Sequence, residues 1–583
     1  MNFDLDVAII GGGPGGSTCG GLLRKYAPEL TVGIFEREAF PRDHVGESVL
    51  PPVSSILQEL GCWDEVEAAD FPIKIGATYR WGNSDKLWDF EFMPVEQYRE
   101  EQRPRGWTQQ ARQLAFQVDR ARYDHILLDH ARRLGCAVEQ PGRVRRVETD
   151  GDRIEALVLE DGRRIRARWY VDASGAAAIA RKALGVGVDC PTRLQNVAFW
   201  DYWENAEWAS RYPGGATRVL VLSIGSGWIW FIPLGPTRTS IGFVCPKSLY
   251  RESAKSPEEI YLWALQQEPL ITELTASASR EGKVEATRDW SFVSDRTAGP
   301  NWFLVGEAAG FADPILAAGL TLTQGSAREA AYSILALAKD EHEADWLREN
   351  YDDNQRTRIR QHIRFADFWY SANGKFTDLE AYTSEIARDA GLSLDPKRAF
   401  QWLGTGGFTH DTLGQAGIGA LDLAGTRQVA SRFLGTQARW ELSRVNQLTL
   451  KLDGAEVVEI PAYEDGTIRR IKTYRRGDRR LPVTGLFATV IAALQRGPDL
   501  VGHILPEFQR QAAGGEAGGK MQSHLIVHHL LQALELMLND GWVKGRRDPK
   551  RPGIDLNTPI EGQIIHTNVE LNERLAAQEP AAD

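Results

Sequence analysis

The chain opens on a β-branched apolar run, Asp6-Val-Ala-Ile-Ile10. It is too short for a helix and has no polar alternation, so it reads as a strand buried on both faces. Glycines interrupt it, residues 17–25 follow as a helix, and a second apolar run, Thr31-Val-Gly-Ile-Phe35, ends on Glu36. Strand, helix and strand in that order predict a βαβ unit. Further along, residues 125–135 carry helical periodicity. Residues 143–148, 154–159 and 164–170 read as strands that end in Val171-Asp-Ala-Ser-Gly175. Residues 345–370 interleave Arg, Asp and aromatic side chains at helical spacing, as an amphipathic helix would. Beyond 375 the pattern changes. Residues 448–471 suggest short strands around an Asp453-Gly turn, and 484–496 and 525–543 suggest one-sided apolar helices stopped by Gly497-Pro498 and Gly541-Trp542. The glycine-rich stretch 512–519 reads as a linker and residues 574–583 as a loose tail.

These elements predict an α/β fold. A Rossmann-like module spans 1–375, with a substrate-side β-sheet subdomain at roughly 71–115 and 190–290. A mainly helical C-terminal region, 376–583, follows as a substrate lid or docking face. Composition narrows the function. With 583 residues, 43% apolar and 25% charged, the chain is an ordinary globular one. Its net charge of −11 argues against a phosphate-tracking nucleic-acid binder. Five scattered cysteines, with no CxxC pair, support neither a zinc finger nor a disulfide scaffold. No metal site is expected: His524, His528 and His529 share a helix but lack the acid of an H-E-x-x-H motif. There is no run of about 18 apolar residues and no signal-peptide pattern, so a cytoplasmic protein without a membrane span is expected. Eighteen tryptophans are more than a chain of this kind requires.

The glycines after the first strand carry the first chemistry. Gly11, Gly13 and Gly16 fit G-x-G-x-x-G, and Glu36 follows Gly16 by 20 residues. The first glycine permits the tight turn and the second lets backbone approach a pyrophosphate. The third lets helix and strand pack closely, and the acid meets a ribose diol. Either a nicotinamide or a flavin dinucleotide fits this alone.

The later segments decide. Phe116-Gln-Val-Asp-Arg120 precedes the second helix, and Phe303-Leu-Val-Gly306-Glu307 comes much later. In this order they resemble the group A flavoprotein monooxygenases, with the fold of p-hydroxybenzoate hydroxylase, over roughly residues 4–375. Ser226-Gly-Trp228-Ile-Trp230-Phe-Ile-Pro233 reads W-x-W-x-I-P, and period-2 alternation puts both indoles on one strand face. With Lys74 in Phe71-Pro-Ile-Lys74-Ile-Gly, with Gly46-Glu47-Ser48-Val-Leu-Pro51 and with Arg288-Asp289-Trp290-Ser291, this resembles the flavin-dependent halogenases.

That resemblance implies FAD, supplied reduced as FADH2 by a separate flavin reductase, together with O2 and chloride or bromide. It implies FAD contacts at Glu47, Ser48, Arg120, Asp289, Gly306, Glu307 and Gly319, with halide at the N–H groups of Gly319 and Leu320. Trp228 and Trp230 would wall organic substrate off from the flavin, and Lys74 would direct hypohalous acid to one carbon. Lys74 is expected to face the tryptophan strand from an adjacent one. Asp289 would match the aspartate that bonds covalently to flavin in the chloramphenicol-pathway enzyme. Glu307 stands where relatives carry Asp. Leu316, Ala317 and Ala318 replace the glutamate and Ser-Thr pair of the tryptophan halogenases, which argues against that substrate, and the Ser-Ser pair common before this glycine in phenol and pyrrole halogenases is absent too. The resemblance as a whole implies an electron-rich phenol, pyrrole or activated acyl substrate, free or tethered to a carrier protein. A flavin hydroxylase and a geranylgeranyl-reductase-like enzyme share the cofactor fold and remain the alternatives, with a non-catalytic flavin-binding protein as a third class.

Overall fold

The first apolar run becomes the middle strand of a five-stranded parallel sheet, in the order Trp302–Leu304, Ala167–Asp172, Leu5–Ile10, Val32–Phe35, Ala137–Glu139. Residues 7–10 are at most 3% exposed, as a strand covered by helices on both faces requires. Helix Pro14–Tyr26 packs against Gly319–Lys339 and Arg120–Arg133. The structure, a computed structural model, describes residues 3–82, 85–101, 106–192, 194–371, 440–477, 479–513, 520–556 and 565–577.

Of the three strands expected before Val171, the first two and residues Arg164–Ile165 form a separate antiparallel sheet. Residues Ala167–Asp172 instead enter the parallel sheet beside Leu5–Ile10. A second, ten-stranded sheet carries the substrate-side residues. Its main path runs Ser279–Arg280, Gln195–Glu204, Arg238–Pro246, Gly227–Pro233, Ala216–Ile224, Ile73–Arg80, Trp88–Glu91, Ile565–Thr567, and Glu285–Trp290 and Ala115–Phe116 pair off this path. One face packs on helices Pro257–Gln266 and Pro269–Leu274 through Leu220, Leu222, Ile229, Phe231, Ile260 and Leu270.

The chain divides into two units: 1–377 with 463–468 and 564–583, and 378–462 with 469–563. The described tail, residues 565–577, therefore belongs with the first unit rather than with the region expected beyond 375, and of the loose end expected at 574–583 residues 578–583 lie outside the described residues. Residues Ile565–Thr567 pair with Trp88–Glu91, and Asn572 exchanges hydrogen bonds with the backbone of Leu87. Arg574, on helix Val569–Ala576, pairs with Glu273 and Glu207. A sheet edge with unpaired backbone groups recruited the segment.

The second unit gathers helices Gly485–Arg496, Leu505–Ala513 and Lys520–Asn539 around Leu442, Phe508, Leu534, Met537 and Trp542. The last helix starts and ends earlier than its apolar pattern over 525–543 suggested, at Lys520 and Asn539. Gly541 takes a φ of 72°, and Val543 begins a strand paired with Gln447–Leu450. The linker residues 514–519 and the side chain of His524 lie outside the described residues. Among the described residues no group of His, Cys, Asp and Glu could hold a metal, and no helix is long and apolar enough to cross a membrane.

Candidate active site

Gly11 has a φ of 100°, and a Cβ there would collide with the carbonyl of Ala173. A Cβ on Gly16 would collide with the carbonyl of Gly11. Both positions demand glycine, and the turn they permit aims the start of helix Pro14–Tyr26 outward. That helix has no side-chain cap and no acid in its first turn, so its N–H groups and dipole favour an anion. The Arg42 guanidinium stands beside Gly13 and pairs with Asp124 at 3.4 Å. Glu36 is 4% exposed, and its two oxygens accept from Gly12 N (2.7 Å) and Glu38 N (3.0 Å). Each oxygen keeps a further lone pair for a diol.

Arg120 clamps the next wall. Its Nε and Nη2 donate to the two oxygens of Asp124 at 2.7 and 2.9 Å, and Nη1 donates to the carbonyls of Val45 and Gly46 at 2.9 and 3.2 Å. The clamp fixes the segment carrying Glu47 and Ser48. Glu47 is buried and accepts from Tyr202 Oη at 3.0 Å. Burial pushes its carboxyl up to about 7 against the opposing pull of Tyr202 and Arg120. Ser48 bridges to Gln117 through backbone. Ser48 Oγ and both amide atoms of Gln117 are buried without a hydrogen-bond partner among the described residues. Buried polar groups are rarely left so, and a donor and acceptor side by side suit the edge of a flavin ring. The anion cradle, the diol acceptor and these unsatisfied groups together fit a flavin dinucleotide.

Gly306 and Glu307 form a turn just beyond the end of strand Trp302–Leu304. Burial raises the Glu307 carboxyl above its ordinary range, and the charge of Arg120 opposes that. Glu307 lines a cleft with Gly306, Asp313, Gly319, Leu322 and Thr323. Gly319 and Leu320 are the first residues of helix Gly319–Lys339, which again has no side-chain cap. The first N–H to bond back in this helix is that of Leu322, to Ala318. The backbone of Asp289 lies opposite Asn196 in strand register; its side chain is outside the described residues.

Lys74 and the tryptophans occupy the second sheet. Strand Ile73–Arg80 does not adjoin the tryptophan strand as expected: Ala216–Ile224 lies between them, parallel to the first and antiparallel to the second. The same face is nevertheless shared. Tyr79 pairs with Val221 and Val221 with Trp230, so the three point one way. Lys74 is five residues from Tyr79, an odd count that would turn it over. A bulge between Thr217 and Arg218 adds a residue on the lysine strand and turns it back. Consistent with this, the Lys74 ammonium sits 5.4 Å from the Phe92 ring, and Phe92 meets Phe90 of the row that includes Trp88 and Tyr79.

Lys74 is 2% exposed and donates to the Val49 carbonyl at 3.2 Å, in the segment that carries Glu47 and Ser48. Burial alone lowers its proton affinity, to about 7. Trp228 and Trp230 are buried with ring centroids 6.0 Å apart. Trp230 Nε1 donates to Ser240 Oγ at 3.1 Å, and Trp228 Nε1 donates to Tyr370 Oη at 2.8 Å. Trp81 packs against Trp228, Trp369 and Tyr370.

The glycines, Glu36, Glu47, Ser48, Arg120 and Glu307 thus line the carboxyl-end side of the parallel sheet, and Lys74 is tied to them through Val49. Sequence reasoning missed Arg42, Gln117, Asp313 and Tyr370. Gln117 stood inside the Phe116–Arg120 segment and Asp313 just ahead of Leu316, and a polar side chain between apolar neighbours, Phe116 and Val118 or Ala312 and Pro314, was the available signal. Tyr370 closes a long helix and carried none.

Residues 6–113 and 97–380 match the family model described as tryptophan halogenase. A 1H-pyrrole-2-carbonyl-[peptidyl-carrier protein] chlorinase of Pseudomonas fluorescens is 33% identical over 394 residues, covering 64% of this chain and 86% of that protein. A tryptophan 2-halogenase of Chondromyces crocatus is 33% identical over 343 residues, covering 58% of this chain and 62% of that protein. The solved structure of CmlS, a flavin-dependent halogenase, superposes with a TM-score of 0.71 at 23% identity, over 97% of this chain and 100% of that one, and so shares the fold.

Proposed function

The chain belongs to the tryptophan halogenase family of flavin-dependent enzymes, and from that premise we propose that it halogenates an electron-rich aromatic substrate with Lys74 as the directing residue. The observation that carries this reading is Lys74 itself, a buried lysine on the sheet face it shares with Trp228 and Trp230. When bound, FAD supplied as FADH2 would activate O2 to oxidise chloride or bromide to hypohalous acid. The helix at Pro14–Tyr26, Arg42 and Glu36 would hold its nucleotide half. Glu47, Ser48, Gln117, Arg120, Gly306 and Glu307 would hold the flavin half.

Allowing for the bulge, Lys74 lies four register positions along and two strands across from Trp230. At about 3.3 Å per residue and 4.8 Å per strand, the backbones are on the order of 16 Å apart. A lysine that far from the tryptophans does not act on the same atom as they do. It receives a small diffusible oxidant, either by hydrogen bonding or as an N-haloamine. A lysine with its proton affinity reduced by burial offers a free amine near neutrality, which suits the second role. The tryptophans keep a bulky ring off the flavin.

The substrate proposed is a pyrrole or phenol, tethered to a carrier protein as in the Pseudomonas fluorescens relative. Ala317 and Ala318 supply none of the side-chain groups that mark the tryptophan halogenases. Reduced flavin comes from a separate reductase, because the chain carries one dinucleotide fingerprint. Asp289 is proposed to bond the flavin covalently; acid precipitation should then leave yellow colour in the pellet, and a colourless pellet removes the idea. The central test is mass spectrometry of products with bromide, O2, a flavin reductase and carrier-bound pyrrolyl or phenolic substrates. A product mass raised by one bromine supports the reading, and a hydroxylated product returns the hydroxylase alternative.

A further inference from the structure

Asp313 joins the cleft to the tryptophan wall through Tyr370. It caps the turn before helix Gly319–Lys339, with Oδ1 accepting from Ile315 N at 2.9 Å. The same Oδ1 accepts from Tyr370 Oη at 3.3 Å, and Tyr370 in turn accepts from Trp228 Nε1 at 2.8 Å and Asn196 Nδ2 at 3.3 Å. Asp313 is 4% exposed, and Oδ2 has no hydrogen-bond partner among the described residues. Asp313 lines the cleft that also contains Gly319, the first residue of a 21-residue uncapped helix. An unsatisfied oxygen in so buried a carboxyl is costly unless it carries a proton and meets an acceptor.

We propose that Asp313 couples halide binding to proton uptake: the protonated carboxyl donates from Oδ2 to a halide held at the N–H groups of Gly319 and Leu320, so the cleft takes up the two ions together. This rests on the halogenase reading for its purpose. Net halogenation of R–H by FADH2, O2 and halide consumes one proton per halide and yields FAD, R–X and two waters. A site that binds the pair delivers both ions in that ratio. An ionised Asp313 would repel the halide, whereas a neutral one both removes that repulsion and adds a donor to the helix N-terminus.

The surrounding charges favour the neutral form. Burial, with a smaller push from the charge of Asp367 on helix Ala344–Ser371, raises the Asp313 carboxyl to about 7. Glu307 faces the same cleft and adds negative charge when ionised, and Arg120 offsets it. The hydrogen bonds that Oδ1 accepts from Ile315 N and Tyr370 pull the other way. The backbone of Asp289 lies opposite Asn196 in strand register.

The test is bromide titration of the full-length protein by calorimetry, in two buffers of different ionisation enthalpy, across pH 6 to 9. The wild type should take up close to one proton per bromide above pH 7, with affinity falling about tenfold per pH unit there. Asp313→Asn should bind bromide with no proton uptake and a flat pH dependence. Tyr370→Phe, which keeps the carboxyl but removes a donor to it, should move the pH midpoint upward. Wild-type binding without proton uptake, undetectable bromide binding, or uptake unchanged in Asp313→Asn would each overturn the coupling. The functional reading fails separately: proton-coupled bromide binding without any halogenated product would leave the coupling standing and remove the halogenase.

Discussion

Lys74 and Asp313 are both buried ionisable groups that burial drives toward neutrality, yet their surroundings differ in kind. Among the described residues Lys74 has one polar contact, a carbonyl, with an aromatic ring beside its ammonium, and burial alone is the cause of its shift. Asp313 accepts from a tyrosine and a backbone N–H, an asparagine donates to the same tyrosine, and the charge of a second acid acts on it. An isolated base in an apolar setting is free to accept a reactive atom, because nothing else holds its lone pair. An acid in a mesh is held to one geometry and exchanges only its proton. The first arrangement suits covalent or hydrogen-bonded transfer of halogen, and the second suits ion uptake.

The comparison breaks most directly at the lysine. Lys74→Ala should lower halogenated product by more than about a hundredfold while FADH2 oxidation continues and its oxidising equivalents appear as hydrogen peroxide. Product at the wild-type level would remove Lys74 from the chemistry. Lys74→Met sharpens the same point through stability. Folding expels the lysine's proton wherever the folded group is neutral and the unfolded one charged. Wild-type stability should therefore rise with pH between about 7 and the unfolded lysine's value of about 10.5, and be lowest below that window. The methionine variant should lack this slope and be more stable by several kcal/mol at neutral pH in urea unfolding, the mark of a group kept for function. Equal stability across that window would show that the lysine is accommodated without cost.

On the other side, Tyr370→Phe strips the acceptor from Trp228 and Asn196 at once. It should cost about 1–3 kcal/mol in urea unfolding, because two buried donors lose their partner. A neutral result would mean that the mesh is not under tension. The smallest effect is expected at Trp230→Phe, which loses one bond to Ser240 and part of a ring, for about 1–2 kcal/mol, with the fold and flavin binding retained.

Much of the nucleotide side was legible beforehand. Glycines at 11, 13 and 16 leave few options, since a Cβ at Gly11 or Gly16 meets backbone that cannot move. The two tryptophans were legible as a pair because alternation along a strand is a local property. The lysine's face was not. It depends on a bulge opposite Thr217 and on an intervening strand drawn from 216–224, and neither leaves a mark in the residues around 74. Nor did the tail announce itself: Ile565 and Arg574 look like any polar-flanked terminus until an open edge at Trp88–Glu91 is available to receive them.

The sequence by itself determined the dinucleotide turn, the helix behind it, the indole pair and the family, because each depends on spacing between residues near one another in the chain. Tertiary structure alone decided that Lys74 is wrapped in apolar surface, that Gln117 is left unsatisfied, and that Trp228, Tyr370 and Asp313 are joined across 142 and 57 residues of chain. Desolvation and hydrogen-bond partnership are properties of a packed environment, and that environment is assembled from segments whose meeting no local pattern encodes.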